Sequence, residues 1–123
     1  MVVLPGGGPG AERLAADGRL IELIQRMANE GKYTAAICAA PKVLAQAGIL
    51  EGKRATSYPG ALDSVGGGGA ELCEESVVVD GRVITSRGPG TAMDFALQLI
   101  ELLAGKEQRD WVESRLQRPP KES

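Results

Sequence analysis

Cys38 stands where a sulfur can be turned into a nucleophile. It ends the β-type run Tyr33-Thr-Ala-Ala-Ile37, and Ala39-Ala40-Pro41 then opens a helical stretch, so the thiol falls on a strand-to-helix turn. The first amides of a helix lack intrahelical acceptors and carry partial positive charge, which favours thiolate over thiol and leaves donors free beside it. A cysteine among alanines is equally compatible with a small buried hydrophobe. A second candidate segment is Pro5-Gly-Gly-Gly-Pro-Gly10, which follows the short apolar run Val2-Val-Leu4. Its exposed amides could bind an oxyanion, while its plain reading is a tight turn that needs positive φ.

The chain contains no histidine. That excludes a Ser-His-Asp triad, a Cys-His dyad and a His-ligated zinc site, so cysteine chemistry here has to rely on backbone donors, a helix terminus and carboxylates. No metal site is expected. The pattern Gly6-x-Gly8-x-x-Ala11 after a strand formally matches a dinucleotide fingerprint, but Pro9 interrupts it. The next strand ends in Cys38 and offers no acidic residue for ribose hydroxyls, and no Gly-Lys-Ser/Thr follows as a phosphate loop would require. No nucleotide cofactor is expected either.

The elements that would position these residues alternate between strand and helix. After the Val2–Leu4 strand, Asp17 caps a helix in which Leu20, Ile21, Leu23, Ile24, Met27 and Ala28 share one face, and Gly31 stops it. A helix follows Cys38 from about Pro41 to Ala47, and a short strand is expected near Arg54 to Tyr58. Residues Asp63 to Glu75 read as a loop around four successive glycines. Ser76 to Val79 and Arg82 to Thr85 flank Asp80-Gly81, which reads as a two-residue hairpin turn. Thr91 with Asp94 three residues on has the pattern of a capping box. The helix from there to Ala104 exposes polar groups mainly at Asp94, Gln98 and Glu101, which predicts deep packing with a narrow wet stripe. A charged helix over Glu107 to Leu116 follows, and Arg118 to Ser123 reads as a frayed tail.

Buried strands alternating with helices predict an α/β fold with a mainly parallel sheet, whose ligands bind at the carboxyl ends of strands. The 123 residues, 43% apolar with net charge −2, suit one compact domain. With no basic surplus and 3% aromatic content, nothing equips the chain for nucleic acid. No apolar run has the length to span a membrane, and Met1-Val-Val-Leu4 is too short for a signal peptide. The expected compartment is the cytoplasm, where Cys38 and Cys73 would remain thiols.

Four segments in register, Val2-Val-Leu-Pro-Gly-Gly-Gly-Pro-Gly10, Ala35-Ala-Ile-Cys-Ala-Ala-Pro41, Ala55-Thr-Ser-Tyr-Pro59 and Thr85-Ser-Arg-Gly-Pro-Gly-Thr91, resemble the ThiJ/PfpI (DJ-1) superfamily. The resemblance covers residues 1–116 as one domain and leaves 117–123 as a flexible tail. It implies a flavodoxin-like three-layer sandwich with Cys38 at a nucleophile elbow and the backbone amides of Gly7 and Ala39 as an oxyanion hole. Its members are deglycases and cofactor-independent glyoxalases acting on methylglyoxal and its early adducts, or oxidation-sensing chaperones. Protease members carry His directly after the cysteine, where this chain has Ala39, so a peptidase loses its base. Deglycase members often carry His where this chain has Tyr58, which leaves Tyr58 as an auxiliary hydrogen-bond donor and a poor base near neutral pH.

The resemblance also implies strands and a helix ahead of the segment matching Met1-Val-Val-Leu4, including a glutamate that hydrogen-bonds the sulfur. Glu12 does not replace it and reads as a solvated first-turn acid. The expectation is therefore a cysteine-dependent deglycase or glyoxalase acting on a small aldehyde or glycated substrate. The missing carboxylate would come from a complementary chain or from an oligomer of the same chain. Two other readings stay open: a redox sensor or chaperone in which Cys38 is the oxidisable thiol, and a catalytically inactive half of such a protein.

Overall fold

A computed structural model describes residues 1–119. Four strands form the main sheet: β1 (Val2–Leu4), β2 (Thr34–Ile37), β5 (Val77–Asp80) and β6 (Val83–Ser86), in the order β1-β2-β6-β5. The β1–β2 and β2–β6 pairs are parallel, and β5 joins β6 antiparallel. A second, two-stranded parallel sheet pairs β3 (Arg54–Ala55) with β4 (Glu71–Leu72). The helices are α1 (Gly8–Ala15), α2 (Gly18–Asn29), α3 (Pro41–Gln46), α4 (Ala92–Ala104) and α5 (Lys106–Leu116). The expected α/β class with a mainly parallel sheet is the one observed.

Strand periodicity divides the core in two. Successive side chains on a strand point to opposite faces, so Ala36 and Val83 meet Ala11, Ile24, Val43 and Leu44 of α1, α2 and α3, while Ala35 and Ile84 meet Phe95 of α4. Three layers result. The alanines of β2 allow helices to approach both faces closely. Asp17 caps α2 as expected, its Oδ1 accepting from the amides of Arg19 at 3.0 Å and Leu20 at 3.4 Å, and Ile24 is completely buried on the predicted face.

Five local expectations are corrected. The segment after the first glycines is helical: α1 begins at Gly8 with Pro9 in its first turn, a position that tolerates proline because those N–H groups have no intrahelical acceptor. The strand expected near Arg54 to Tyr58 is only Arg54–Ala55. Asp63–Gly69 is a 3-10 segment, and Gly66 to Gly69 all have positive φ. A Cβ on Gly68 would stand 2.6 Å from Cβ of Ala45, so this run curls directly onto α3.

The hairpin turn lies one residue later than expected. Asp80 pairs with Val83, so the loop is Gly81-Arg82, with positive φ at Gly81 alone of the two; this suits a two-residue turn with glycine first. Asp80 is held in β5 because its Oδ2 accepts from the Arg54 amide at 2.8 Å.

The fifth correction concerns α4. Phe95 and Leu97 are buried, but Met93 is 53% and Leu103 62% exposed. Two of its polar side chains, still partly exposed, pair with arginines of α5 and just beyond it: Glu101 with Arg109 at 3.1 Å, and Asp94 with Arg118 at 2.8 Å. The hydrogen bond to Asp94 and that carboxylate's charge raise the proton affinity of the Arg118 guanidinium. Of the tail expected at Arg118 to Ser123, residues 120–123 lie outside the described residues. Among the described residues no helix is long and apolar enough to cross a membrane.

One buried group is left over. Thr34 is 1% exposed, and its Oγ1 has no hydrogen-bond partner among the described residues. An unsatisfied buried hydroxyl costs stability that an apolar isostere avoids. Thr34→Val is therefore expected to raise stability by about 1 kcal/mol, read as a higher urea midpoint at matched protein concentration. A lower midpoint would mean that the hydroxyl has a partner in solution.

Candidate functional site

Cys38 follows β2 directly and has φ of +65°, in the left-handed region. Among the described residues the only other non-glycine in that region is Gln117. Such a conformation costs a cysteine on the order of 1 kcal/mol, so neighbours must impose it. The Cys38 amide donates to the Ser86 carbonyl at 3.0 Å, and the Cys38 carbonyl accepts from the Tyr58 amide at 2.8 Å. The chain then turns through an Ala40 amide to Ile37 carbonyl bond of 3.1 Å and enters α3. The expected strand-to-helix turn is present, although α3 is only 6 residues long and its first-turn Pro41 is buried.

The glycine turn after β1 meets Cys38 face to face. A Cβ on Gly6 would lie 2.5 Å from Cβ of Cys38, closer than real atoms allow, and a tight 3.2 Å from its Sγ. Gly6 is thus the residue that lets the two turns touch, a role sequence reasoning did not single out within the triplet. Gly7 has φ of +103° and starts α1, its carbonyl accepting from the Ala11 amide at 2.8 Å. Neither the Gly7 amide nor the Ala39 amide donates to a protein acceptor among the described residues. Two unengaged donors therefore belong to the two turns that meet at the sulfur.

Tyr58 joins this cluster through its backbone. Its side chain is 53% exposed, and its ring lies 3.4 Å from the position a Cβ on Gly88 would take. The carboxyl end of β6 completes the frame through hydroxyls whose part was not assigned from sequence. Ser86 Oγ donates to the Ser76 carbonyl at 2.6 Å and is 2.7 Å from Thr91 Oγ1. Thr91 Oγ1 also accepts from the amides of Arg87 and Gly88 at 3.2 and 3.1 Å. This corrects the capping box: Thr91 makes no side-chain cap to α4 and instead ties back the loop that carries the acceptor for Cys38. The motif Thr85-Ser-Arg-Gly-Pro-Gly-Thr91 held this signal in its spaced hydroxyls.

The carboxyl ends of β1, β2, β3 and β6 thus converge, as expected of a parallel α/β sheet. Glu12 has a side chain 77% exposed and stands 4.0 Å from Lys42, in keeping with a solvated acid. Among the described residues, no carboxylate hydrogen-bonds the Cys38 sulfur and no group of three His, Cys, Asp or Glu could hold a metal ion. Both cysteines are free thiols. A cleft of about 310 Å³ lies beside this frame, walled by Thr56, Ser57, Leu62, Cys73 and Arg87 among others, and Cys38 does not line it.

Residues 1–102 match the DJ-1/PfpI family. A protein named as a deglycase from Pyrococcus abyssi is 39% identical over 102 residues, covering 83% of this chain and 61% of that protein. A glutathione-independent glyoxalase from Caenorhabditis elegans is 40% identical over 108 residues, covering 88% of this chain and 57% of that protein. The crystal structure of Drosophila melanogaster DJ-1beta superposes with a TM-score of 0.89 at 41% identity, covering 96% of this chain and 63% of that one. The chain therefore spans about three-fifths of the length of these relatives.

The contact at Gly6 yields a test of the frame. Gly6→Ala is expected to cost about 1–3 kcal/mol through overpacking against the turn and to change the rate at which Cys38 is alkylated. Gly8→Ala, where a Cβ meets nothing within 4 Å, is expected to do neither. Denaturation midpoints and iodoacetamide labelling followed by peptide mass analysis check both, and equal behaviour of the two variants would refute the close approach.

Proposed function

The chain belongs to the DJ-1/PfpI family, and from that premise we propose that it acts as a cysteine-dependent deglycase or glyoxalase on methylglyoxal or its early adducts. The observation that carries this reading is the left-handed Cys38, seated on Gly6 between two turns whose Gly7 and Ala39 amides have no acceptor among the described residues. The names of the Pyrococcus and Caenorhabditis relatives support it, as does the flavodoxin-like α/β fold shared with the Drosophila protein.

In the proposed reaction the Cys38 thiolate adds to the aldehyde carbon of the 2-oxoaldehyde, and the carbonyl electron pair moves onto oxygen. The Gly7 and Ala39 amides donate to that oxyanion. A carboxylate base then shifts the proton of the former aldehyde carbon to its neighbour, which leaves a thioester, and water releases a 2-hydroxycarboxylate and the free thiol. Tyr58 is placed in this scheme as an auxiliary hydrogen-bond donor at most, since its phenol is a weak base near neutral pH. With an early adduct, the amine or thiol first leaves with a proton as the hydroxyl's electron pair re-forms the aldehyde carbonyl, and the steps above then follow unchanged.

We assign the carboxylate to a complementary segment outside these residues. The support is surface that the chain itself leaves open. Among the described residues β1 pairs with β2 alone, which leaves its other edge open, and Val3 on it is 43% exposed. An apolar face of α4 is open at Met93 and Leu103. An unpaired parallel edge strand and an apolar helix face are both costly in water.

Two experiments test these statements. Cys38→Ser is expected to abolish methylglyoxal consumption, because a hydroxyl is far less acidic than a thiol and no histidine is present to activate it, while Cys73→Ser retains most of it. Peroxide oxidation of Cys38 in a protein without turnover would instead favour the redox-sensor reading. Size-exclusion chromatography with light scattering on the purified 123-residue chain is expected to show an associated species. A cooperatively unfolding monomer would refute the need for a complement.

A further inference from the structure

The cleft of about 310 Å³ beside the Cys38 frame carries charges of both signs that do not meet each other. Arg87 lines it, and Arg87 Nη1 donates to Thr56 Oγ1 at 3.1 Å and to the Cys73 carbonyl at 3.3 Å. Both acceptors are neutral, and both bonds use one nitrogen of a guanidinium that has five N–H donors. Asp63 and Glu74 line the same cleft and are exposed to it and to solvent. None of the three is in an ion pair among the described residues. The rest of the lining is mixed: Thr56 and Ser57 are polar, Leu62 is buried behind the surface, and Leu72, 46% exposed, is the open apolar side chain.

Charge selects the ligand. A simple anion drawn to Arg87 would meet two carboxylates, and a simple cation drawn to those would meet Arg87. A ligand bearing both charges satisfies the two sides together, and a planar guanidinium is suited to bidentate carboxylate recognition. The volume lies at the small end of ligand pockets, which run from roughly 300 Å³ upward. We propose that this cleft binds a free α-amino acid with a short apolar side chain, its carboxylate on Arg87, its ammonium toward Asp63 and Glu74, and its side chain against Leu72. The cleft shares Thr56 and Ser57 with the segment that leads to Tyr58, whose amide holds the Cys38 carbonyl. The site therefore adjoins the reactive turn without containing its sulfur.

Titration calorimetry of the 123-residue protein with L-valine tests this, with L-valinamide as the cation-only probe and isovalerate as the anion-only probe. One saturable L-valine site is expected, with both comparators weaker by about tenfold or more, as for the loss of a charge-assisted contact. Arg87→Gln and Asp63→Asn are each expected to weaken L-valine. Asp63 is exposed and makes no side-chain hydrogen bond among the described residues, so its variant keeps the fold even if Arg87→Gln disturbs Thr56. Cys38→Ser is expected to bind L-valine unchanged, which separates this inference from the proposed turnover. Absence of a saturable L-valine site, equal binding of isovalerate or valinamide, or full affinity in the Asp63→Asn protein would overturn it.

Discussion

The left-handed backbone at Cys38 is the constraint on which the rest of the arrangement depends. A cysteine does not hold positive φ unaided. Here its amide is fixed by Ser86 at the end of β6 and its carbonyl by Tyr58 beyond β3, while Gly6 after β1 offers only hydrogen where a side chain would collide. Three strand ends thereby determine one residue's conformation. The Ser86 and Thr91 hydroxyls extend the same logic outward, tying the Ser76 carbonyl and the loop after β6 together so that the Ser86 carbonyl stays in place. What holds this turn is hydrogen bonding between backbones.

The layers serve this frame by bringing β1, β2 and β6 into parallel register at adjacent positions. Small side chains at Ala35 and Ala36 let α4 approach one face and α1 to α3 the other. Because consecutive β2 residues belong to different cores, a one-residue slip would exchange the two faces. The register is thus set by packing on both sides at once. The 3-10 segment does similar service near the second sheet, where Gly68 has to be a glycine because α3 passes where its side chain would be.

The pair α4 and α5 shows how a polar stripe can mislead. Asp94, Gln98 and Glu101 look like a wet face, yet Asp94 and Glu101 meet arginines of the α5 region, and the open side of α4 carries Met93 and Leu103. Partly screened pairs of this kind contribute little each. Their value lies in fixing where α5 sits, which decides which face of α4 remains uncovered.

Much of this was legible in the sequence. Hydrophobic periodicity disclosed the alternation of strands and helices, the Asp17 cap and the turn at Cys38, because local propensity and tertiary packing agree there, and the four motifs in register pointed to the family. The absence of histidine narrowed the chemistry on composition alone. The turn at Gly81-Arg82 was not legible because Asp80 is drawn to the Arg54 amide, 26 residues away, and the role of Thr91 was not because its hydroxyl turns back to Ser86 and the amides before it instead of forward to α4. Gly6 shows the division most plainly. Its sequence says that it is free to turn, and only the tertiary structure says that it must lack a side chain, since the atom it would collide with belongs to Cys38 in the turn after the neighbouring strand.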